Sequence, residues 1–331
     1  MKKIKALAML SGGLDSILAV KIMLEQGINV YSISFITPLS IPPKKGCKLA
    51  ARKVSDELGI PLKVKFLGKD YIELLKKPHY GYGKNMNPCI DCRISMLKQA
   101  KKYMEEIGAK FIITGEVLGE RPMTQNKKAI KLIEKESGLE QRILRPLSAN
   151  FFEPTIIEQK GWVKKGDLFA IEGRSRKPQI NLAEKLGISD YPTPAGGCLL
   201  TDSNFAKRIR DAFEHNEDAL KEITLLKYGR HFRLPGGAKV IVGRDERENE
   251  IILAFTDTSS ICLEADDVPG PITLLFSSKG KMDIEKAASI CLRYSDSEQG
   301  KGKVTYWKEK GKKAFILVKK IEDKELEELR V

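Results

Sequence analysis

"MLSGGLDSIL", Met9 to Leu18, joins two strongly apolar segments through two glycines, two serines and a carboxylate. An apolar run arrives from Ile4, breaks on Gly12 and Gly13, and resumes with helical spacing. That pattern reads as a strand, a tight loop and a helix. Backbone N–H groups of Gly12, Gly13 and the helix start can cradle an anion there, and the helix dipole favours its negative charge. The Gly-Lys-Ser/Thr ending of a Walker A loop is missing.

Outward from this loop, helices and strands alternate. "DSILAVKIMLEQG" reads as a helix closed by Gly27, "INVYSISF" as a second strand, "GCKLAARKVSDELG" as a helix and "PLKVKFLG" as a third strand. "PCIDCRISMLKQAKKYMEEIG" is a helix with two cysteines in its first turn, and "AKFIITGE" a fourth strand. Such alternation predicts an α/β fold with a doubly wound parallel sheet, whose ligand crevice lies at the carboxyl ends of the strands. The opening loop, Ser34 and Phe35 in the segment from Ser32, and Thr114 to Glu116 all sit at such ends and should converge. From about Phe151 to Arg230 the chain reads as mostly helical, interrupted by the Pro/Gly-rich "DYPTPAGGCLLTD". From His231 short strands and one helix, "DIEKAASICLRYS", indicate a second, α+β domain of common size. The expected division is 1–185, a helical connecting segment 186–230, and 231–331. The tail "IEDKELEELRV" reads as a charged, solvated helix.

The chain has 331 residues, 42% hydrophobic and 31% charged, with a formal net charge of +14. That excess suits a polyanionic partner such as nucleic acid, or a lysine-rich surface of the kind common in heat-adapted proteins. No apolar run reaches the roughly 18 residues of a membrane span. "MKKIKALAML" has the outline of a signal peptide, but Gly12, Gly13 and Asp15 end the apolar stretch early and no small-residue cleavage site follows. It reads as the first strand of a cytoplasmic protein that makes no membrane contact.

Six cysteines stand at 47, 89, 92, 198, 262 and 291. In a large cytoplasmic protein a disulfide framework is not expected. Cys89 and Cys92 have the Cys-x-x-Cys spacing that suits a metal, an iron–sulfur cluster or redox chemistry. Cys262 and Cys291 lie in apolar surroundings and read as core. Cys47, in "KKGCKLAARK", reads as incidental among lysines that could meet phosphate.

With Ser-Gly-Gly-x-Asp-Ser, the opening loop resembles the PP-loop of the ATP-pyrophosphatases, an adenine nucleotide alpha hydrolase-like fold. These enzymes cleave ATP between its α- and β-phosphates and adenylate a substrate oxygen. The resemblance implies pyrophosphate binding by Ser11, Gly12, Gly13, Asp15 and Ser16, with Mg²⁺ contact through Asp15. Ser34, Phe35, Thr114 and Gly115 are the further nucleotide-site candidates at strand ends. "NPCIDCR" is similar to the first cysteine segment of tRNA 2-thiouridylases, and "IITGEVLGERPMTQ" and "ILRPL" to segments of tRNA 4-thiouridine synthetases. Those synthetases carry a THUMP domain ahead of the PP-loop. This chain opens at the PP-loop strand, so tRNA capture is expected from another part. "IVGRDERENEIIL", "EADDVPGPITLLFSS" and the following helix resemble the NFACT-R domain of RNA-associated proteins, through Gly243, Arg244, Asn249, Asp267, Pro269 and Gly270.

The family resemblance implies ATP-dependent tRNA uridine thiolation, with 4-thiouridine at position 8 ahead of 2-thiolation of the wobble uridine. A PP-loop ligase acting on a metabolite would leave the three cysteines and the basic module without a role. A purely RNA-binding protein would not need the intact loop. Thiolation needs a carbonyl oxygen made into a leaving group, which adenylation provides, and a sulfur nucleophile. In one scheme Cys198 carries a persulfide and Cys89 or Cys92 releases the sulfur as a disulfide forms. In the other, Cys89, Cys92 and Cys198 hold three irons of a 4Fe–4S cluster whose fourth iron binds sulfide. The persulfide scheme leaves one cysteine idle, whereas the cluster uses all three. Gly196 and Gly197 give the chain freedom to bring Cys198 in. A structural zinc would want a fourth ligand, and His79 is the only histidine nearby in sequence. Sulfide or a cysteine desulfurase is the expected sulfur source. Arg121, Gln125 and Arg145 are further candidates for phosphate or base contact.

Overall fold

Three successive side chains of strand β1 (Lys5–Met9), Ala6, Leu7 and Ala8, are buried. A strand closed on both faces belongs in the middle of a parallel sheet. The structure, a computed structural model, describes residues 4–40, 48–192, 198–266, 268–308 and 311–331. It divides the chain into two units, Met1–Cys198 and Leu199–Val331.

In the first unit β1 leads through the loop into helix α1 (Leu14–Glu25) and strand β2 (Asn29–Ile36), then helix α2 (Ala50–Glu57) and strand β3 (Leu62–Phe66). Helices α3 (Lys69–Lys76) and α4 (Cys89–Glu106) return the chain to β1's other side, where strand β4 (Phe111–Ile113) is followed by helix α5 (Lys127–Ser137) and strand β5 (Ile143–Leu144). The order β3-β2-β1-β4-β5 is parallel throughout. Strand order reverses between β1 and β4, the place where such sheets open a ligand crevice. Apolar cores fill both faces. One gathers α1 with Ala6, Ala8 and Val30; the other gathers α4 with Leu7, Ile33 and Ile112. The doubly wound α/β expectation therefore holds.

Helix α1 is apolar on most of its circumference because α7 (Lys177–Lys185) covers the side turned away from the sheet. Between β5 and α7 the chain is less helical than its sequence suggests. Short 3₁₀ turns flank a single-turn helix α6 (Ile156–Gln159), which starts on a Thr155–Glu158 capping box.

The second unit opens with helices α8 (Ser203–Glu214) and α9 (Leu220–Leu225). Strands β6 (Arg230–Arg233) and β7 (Lys239–Val242), helix α10 (Glu246–Ala254), strands β8 (Ser260–Ala265) and β9 (Thr273–Phe276), helix α11 (Lys281–Arg293), strands β10 (Lys301–Trp307) and β11 (Ala314–Lys319), and helix α12 (Asp323–Glu328) follow. The sheet is antiparallel, in the order β11-β10-β8-β9-β7-β6. One face packs on α11, with Cys291 fully buried; the other meets α9 and α10 around Cys262, also fully buried.

Two features depart from the sequence reading. The proposed connecting segment is divided: residues up to Cys198 go with the first unit, and α8 and α9 with the second. Charge explains the second allegiance. Asp211 of α8 pairs with Arg233 at 2.6 Å and with Lys239, two side chains of the β6–β7 hairpin, and Glu217 joins the same cluster. The C-terminal tail is more than a solvated helix. Leu326 is buried in the core, and the chain beyond α12 bonds along β6, Arg233 N–H donating to Leu329 C=O at 2.8 Å. Among the described residues no helix is long and apolar enough to cross a membrane.

Candidate active site

The loop after β1 is shaped by its own hydroxyls. Ser16 Oγ donates to Gly13 C=O at 2.7 Å, Gly13 N–H donates to Ser11 Oγ at 3.2 Å, and the two serine hydroxyls are 3.2 Å apart. Gly12 has φ +84°, and a Cβ there would lie 2.7 Å from the backbone of Ala50 at the start of α2. Only glycine satisfies both conditions. Gly13 caps α1 without a side-chain bond to its first-turn amides. Those amides lie at the positive end of a three-turn helix, a position suited to an anion.

Gly115, just past β4, closes the crevice from the other side. A Cβ on it would stand 2.4 Å from the Asp15 carbonyl carbon, so the β4 loop and the start of α1 touch backbone to backbone. Asp15 sits at this joint. Its Oδ1 is buried and has no hydrogen-bond partner among the described residues. Burial lifts its carboxyl above the ordinary range, against the pull of Arg176 and Arg121. Glu120 shares the site, its carboxyl raised by burial and by the charge of Asp15, and lowered by Arg121 and Arg176. Gln179, fully buried on α7, lies beside Asp15 with neither amide atom partnered among the described residues. Two carboxylates and two guanidiniums below an amide-lined loop are suited to a divalent cation with a polyphosphate. The orphaned Asp15 oxygen fits Mg²⁺.

The other candidates are placed unequally. Ser34 is buried in β2, whereas Phe35 packs against the α4 core. Thr114 is buried and donates to Glu116 Oε2 at 3.1 Å. Glu116 is clasped by Arg93 Nε at 2.8 Å and Arg145 Nε at 3.0 Å. Burial opposes its ionisation, but Arg93 and Arg145 outweigh burial and hold its carboxyl down to about 2. Arg145 also pairs with Glu134 at 2.5 Å and is buried, so its charge is spent inside the fold instead of on a ligand. Gln125 is buried too. Its side chain accepts from Arg121 N–H at 2.8 Å, shaping the turn that presents Arg121.

Cys89 opens α4 and Cys92 follows one turn later. Between them Asp91 accepts from the backbone N–H groups of His79 and Tyr80 at 2.9 and 3.0 Å, which pins the preceding loop to the helix start. Cys89 Sγ donates to Asn87 Oδ1 at 3.0 Å. Cys92 lies beneath the buried Tyr71. Cys198 belongs to the same unit and lies within electrostatic reach of both thiols and of Tyr71. Burial, then Cys198 and Cys89, push the Cys92 thiol up to about 12; burial and then Cys198 raise Cys89. Cys89 and Cys92 therefore hold their protons unless a cation compensates their charge. Three thiols have the donor chemistry of an iron–sulfur site, but among the described residues no three His, Cys, Asp or Glu side chains stand in metal-ligating geometry. Gly196, Gly197 and Cys47 lie outside the described residues. Arg121 lies within electrostatic reach of both Asp15 and Cys89 and lowers the carboxyl and the thiol slightly.

Glu120, Arg176 and Gln179 were missed from the sequence. Glu120 had a signal, lying beside Arg121 in a segment already singled out. Arg176 and Gln179 belong to an undistinguished helix start and become relevant only where α7 meets α1.

Residues 2–156 match the family model of the thiamine biosynthesis protein (ThiI), and residues 229–330 match that of the NFACT protein RNA binding domain. Both resemblances read from the sequence hold. A tRNA-specific 2-thiouridylase MnmA from Caldicellulosiruptor saccharolyticus is 28% identical over 240 residues, 66% of this chain and 62% of that protein. A probable tRNA sulfurtransferase from Thermococcus kodakarensis is 30% identical over 152 residues, 43% of this chain and 36% of the relative. A solved 4-thiouridine synthetase–RNA complex with bound ATP is similar at 24% identity and a TM-score of 0.34, over 56% of this chain and 51% of that one. The chain spans 33% to 62% of the length of the first curated relatives it matches.

Proposed function

We propose that this chain, a ThiI-type PP-loop domain followed by an NFACT-type RNA-binding domain, is an ATP-dependent tRNA uridine thiolase. One observation carries the reading: the loop with its orphaned Asp15 carboxylate oxygen and the Cys89–Cys92 helix start both lie within electrostatic reach of one side chain, Arg121. Activation and sulfur delivery need that adjacency, because the adenylated base must meet its nucleophile before water does.

In the first step the uracil carbonyl oxygen attacks the α-phosphorus of ATP. An O–P bond forms and pyrophosphate leaves. The first-turn amides of α1, with Arg121 and Arg176, balance charge on the departing group. Asp15 and Glu120 would hold Mg²⁺, which offsets phosphate charge when bound. In the second step a sulfur nucleophile attacks the activated carbon, the C–O bond breaks and AMP leaves. Free sulfide as donor makes the exchange redox-neutral, whereas persulfide sulfur from a cysteine desulfurase leaves as sulfide only when a pair of thiols is oxidised to a disulfide. Cys89, Cys92 and Cys198 would hold a 4Fe–4S cluster, which when bound supplies the carrier for that sulfide.

Oxygen 4 of uridine 8 is the preferred target, on the likeness of Thr114–Gln125 and Arg145–Leu147 to 4-thiouridine synthetases. The 2-thiouridylase match makes wobble uridine the second choice. The exposure of Cys198 beside two less accessible thiols favours the persulfide scheme as the alternative chemistry.

Anaerobically purified protein should carry about four irons and four sulfides. Alanine at Cys89, Cys92 or Cys198 should abolish that content, while alanine at Cys262 or Cys291 should not. Asp15→Ala should remove ATP-dependent thiolation at unchanged circular dichroism, and mass analysis of the product nucleosides identifies the position. Iron-free wild type that thiolates tRNA from a persulfide donor would replace the cluster with a Cys198 persulfide. Normal turnover by Asp15→Ala would remove the loop from the mechanism.

A further inference from the structure

The hairpin β10–β11 is the edge of the second unit's sheet. Residues 301–320 contain eight lysines and one glutamate, which is half of the chain's formal excess of +14. Register sorts their side chains. Val304 opposite Ile316 faces the α11 core, with Val304 fully buried. Lys301 opposite Lys319, Lys303 opposite Leu317 and Thr305 opposite Phe315 face the other way. On that outer face α9 and α10 cover the sheet as far as Cys262 and its neighbour Trp307.

Beyond Trp307 the face is bare. Phe315 is 63% and Leu317 75% exposed. Lys303 Nζ stands 4.7 Å from the Phe315 ring centre, and Lys313 Nζ 4.6 Å from that of Trp307. Among the described residues two acids lie nearby: Asp266, paired with Lys303 at 2.5 Å, and the exposed Glu264.

We propose that this outer face of β10–β11 grips unpaired nucleotides of the tRNA, with a base stacked on Phe315 and flanking phosphates held by Lys301, Lys303, Lys313 and Lys319. The proposal rests on tRNA being the substrate. An aromatic ring left in water among cations has the two parts of a single-strand site, a stacking surface and counter-charge for the backbone. A paired duplex offers no free base face to the ring. A second copy of the chain is disfavoured, because edge-to-edge pairing of β11 would bring lysines against lysines.

The test measures binding by the full chain of tRNA, a single-stranded 12-mer and its duplex over a range of salt. Phe315→Ala, at an exposed position, should weaken tRNA and single-strand binding about tenfold. It should leave the salt slope and the duplex affinity unchanged, and Phe315→Trp should restore binding. Lys303→Gln and Lys319→Gln should each lower the salt slope by about one. In thiolation assays Phe315→Ala should raise KM for tRNA at unchanged kcat. Wild-type RNA affinity in Phe315→Ala overturns the proposal, as does a loss confined to phosphatidylserine vesicles or to self-association. Loss of single-strand binding by Phe315→Ala in a protein that thiolates nothing keeps this surface and removes the thiolase reading. Undiminished binding by the variant of an active thiolase removes the surface alone.

Discussion

At the scale of single residues, Glu116 shows what a charge costs when it is enclosed. Burial opposes its ionisation, and Arg93 and Arg145 more than offset it, holding the folded carboxyl at about 2 against an ordinary 4.5. A lowered folded value means stability that is fully present above pH 4.5 and is lost as pH falls toward 2. Glu116→Gln leaves two guanidiniums without their shared partner and should destabilise the first unit by about 3–5 kcal/mol at pH 7. Thermal unfolding should show the gap between wild type and variant narrowing as pH drops from 5 to about 3. A gap independent of pH would mean the bridge is not held by charge. None of this is written locally in the chain. Arg93, Glu116 and Arg145 are far apart in sequence and meet only because α4 and β5 both lie against β4.

At the scale of elements, the decisive joint is where the β4 loop touches the first turn of α1. Gly115→Ala places a methyl group 2.4 Å from the Asp15 backbone. The backbone there must move, and with it the first-turn amides of α1 that the proposed reaction uses for phosphate. Pyrophosphate release should fall by at least about tenfold, the loss expected for a displacement of about 1 Å in a positioned site, while far-UV circular dichroism stays that of wild type. Full turnover by the variant would show that the loop tolerates displacement. The cysteine element carries a similar conflict. A helix N-terminus ordinarily lowers a thiol's pKa, yet burial and the neighbouring thiols take Cys92 to about 12. The first turn of α4 thus keeps both thiols in their neutral form. The Cys-x-x-Cys spacing exposed that element at once; the contribution of Tyr71 and of the Asp91 bond to the 79–80 backbone came only with the structure.

At the scale of the whole molecule, the proposed function assigns chemistry to the first unit and tRNA capture to the second. Removing residues 203–331 should leave ATP binding by the first unit intact and lower tRNA affinity, with the loss greatest at low salt because it removes phosphate contacts. A well-folded truncation that binds tRNA like the full chain would place capture in the first unit. The sequence by itself determined the parallel sheet, because β1 is apolar on both faces and strands alternate with helices. It also determined the loop, because two glycines and two hydroxyls between a strand and a helix make a tight turn that leaves the first helical amides without a side-chain cap, and the two cysteines, because three-residue spacing at a helix start is a local property. Tertiary structure alone decided the rest. It joined α8 to the second unit through Asp211, Arg233 and Lys239, spent Arg145 on Glu116 and Glu134, and brought Glu120, Arg176 and Gln179 to Asp15. These contacts depend on which elements the packed cores set side by side, and a buried charge has no periodicity along the chain to announce its partner.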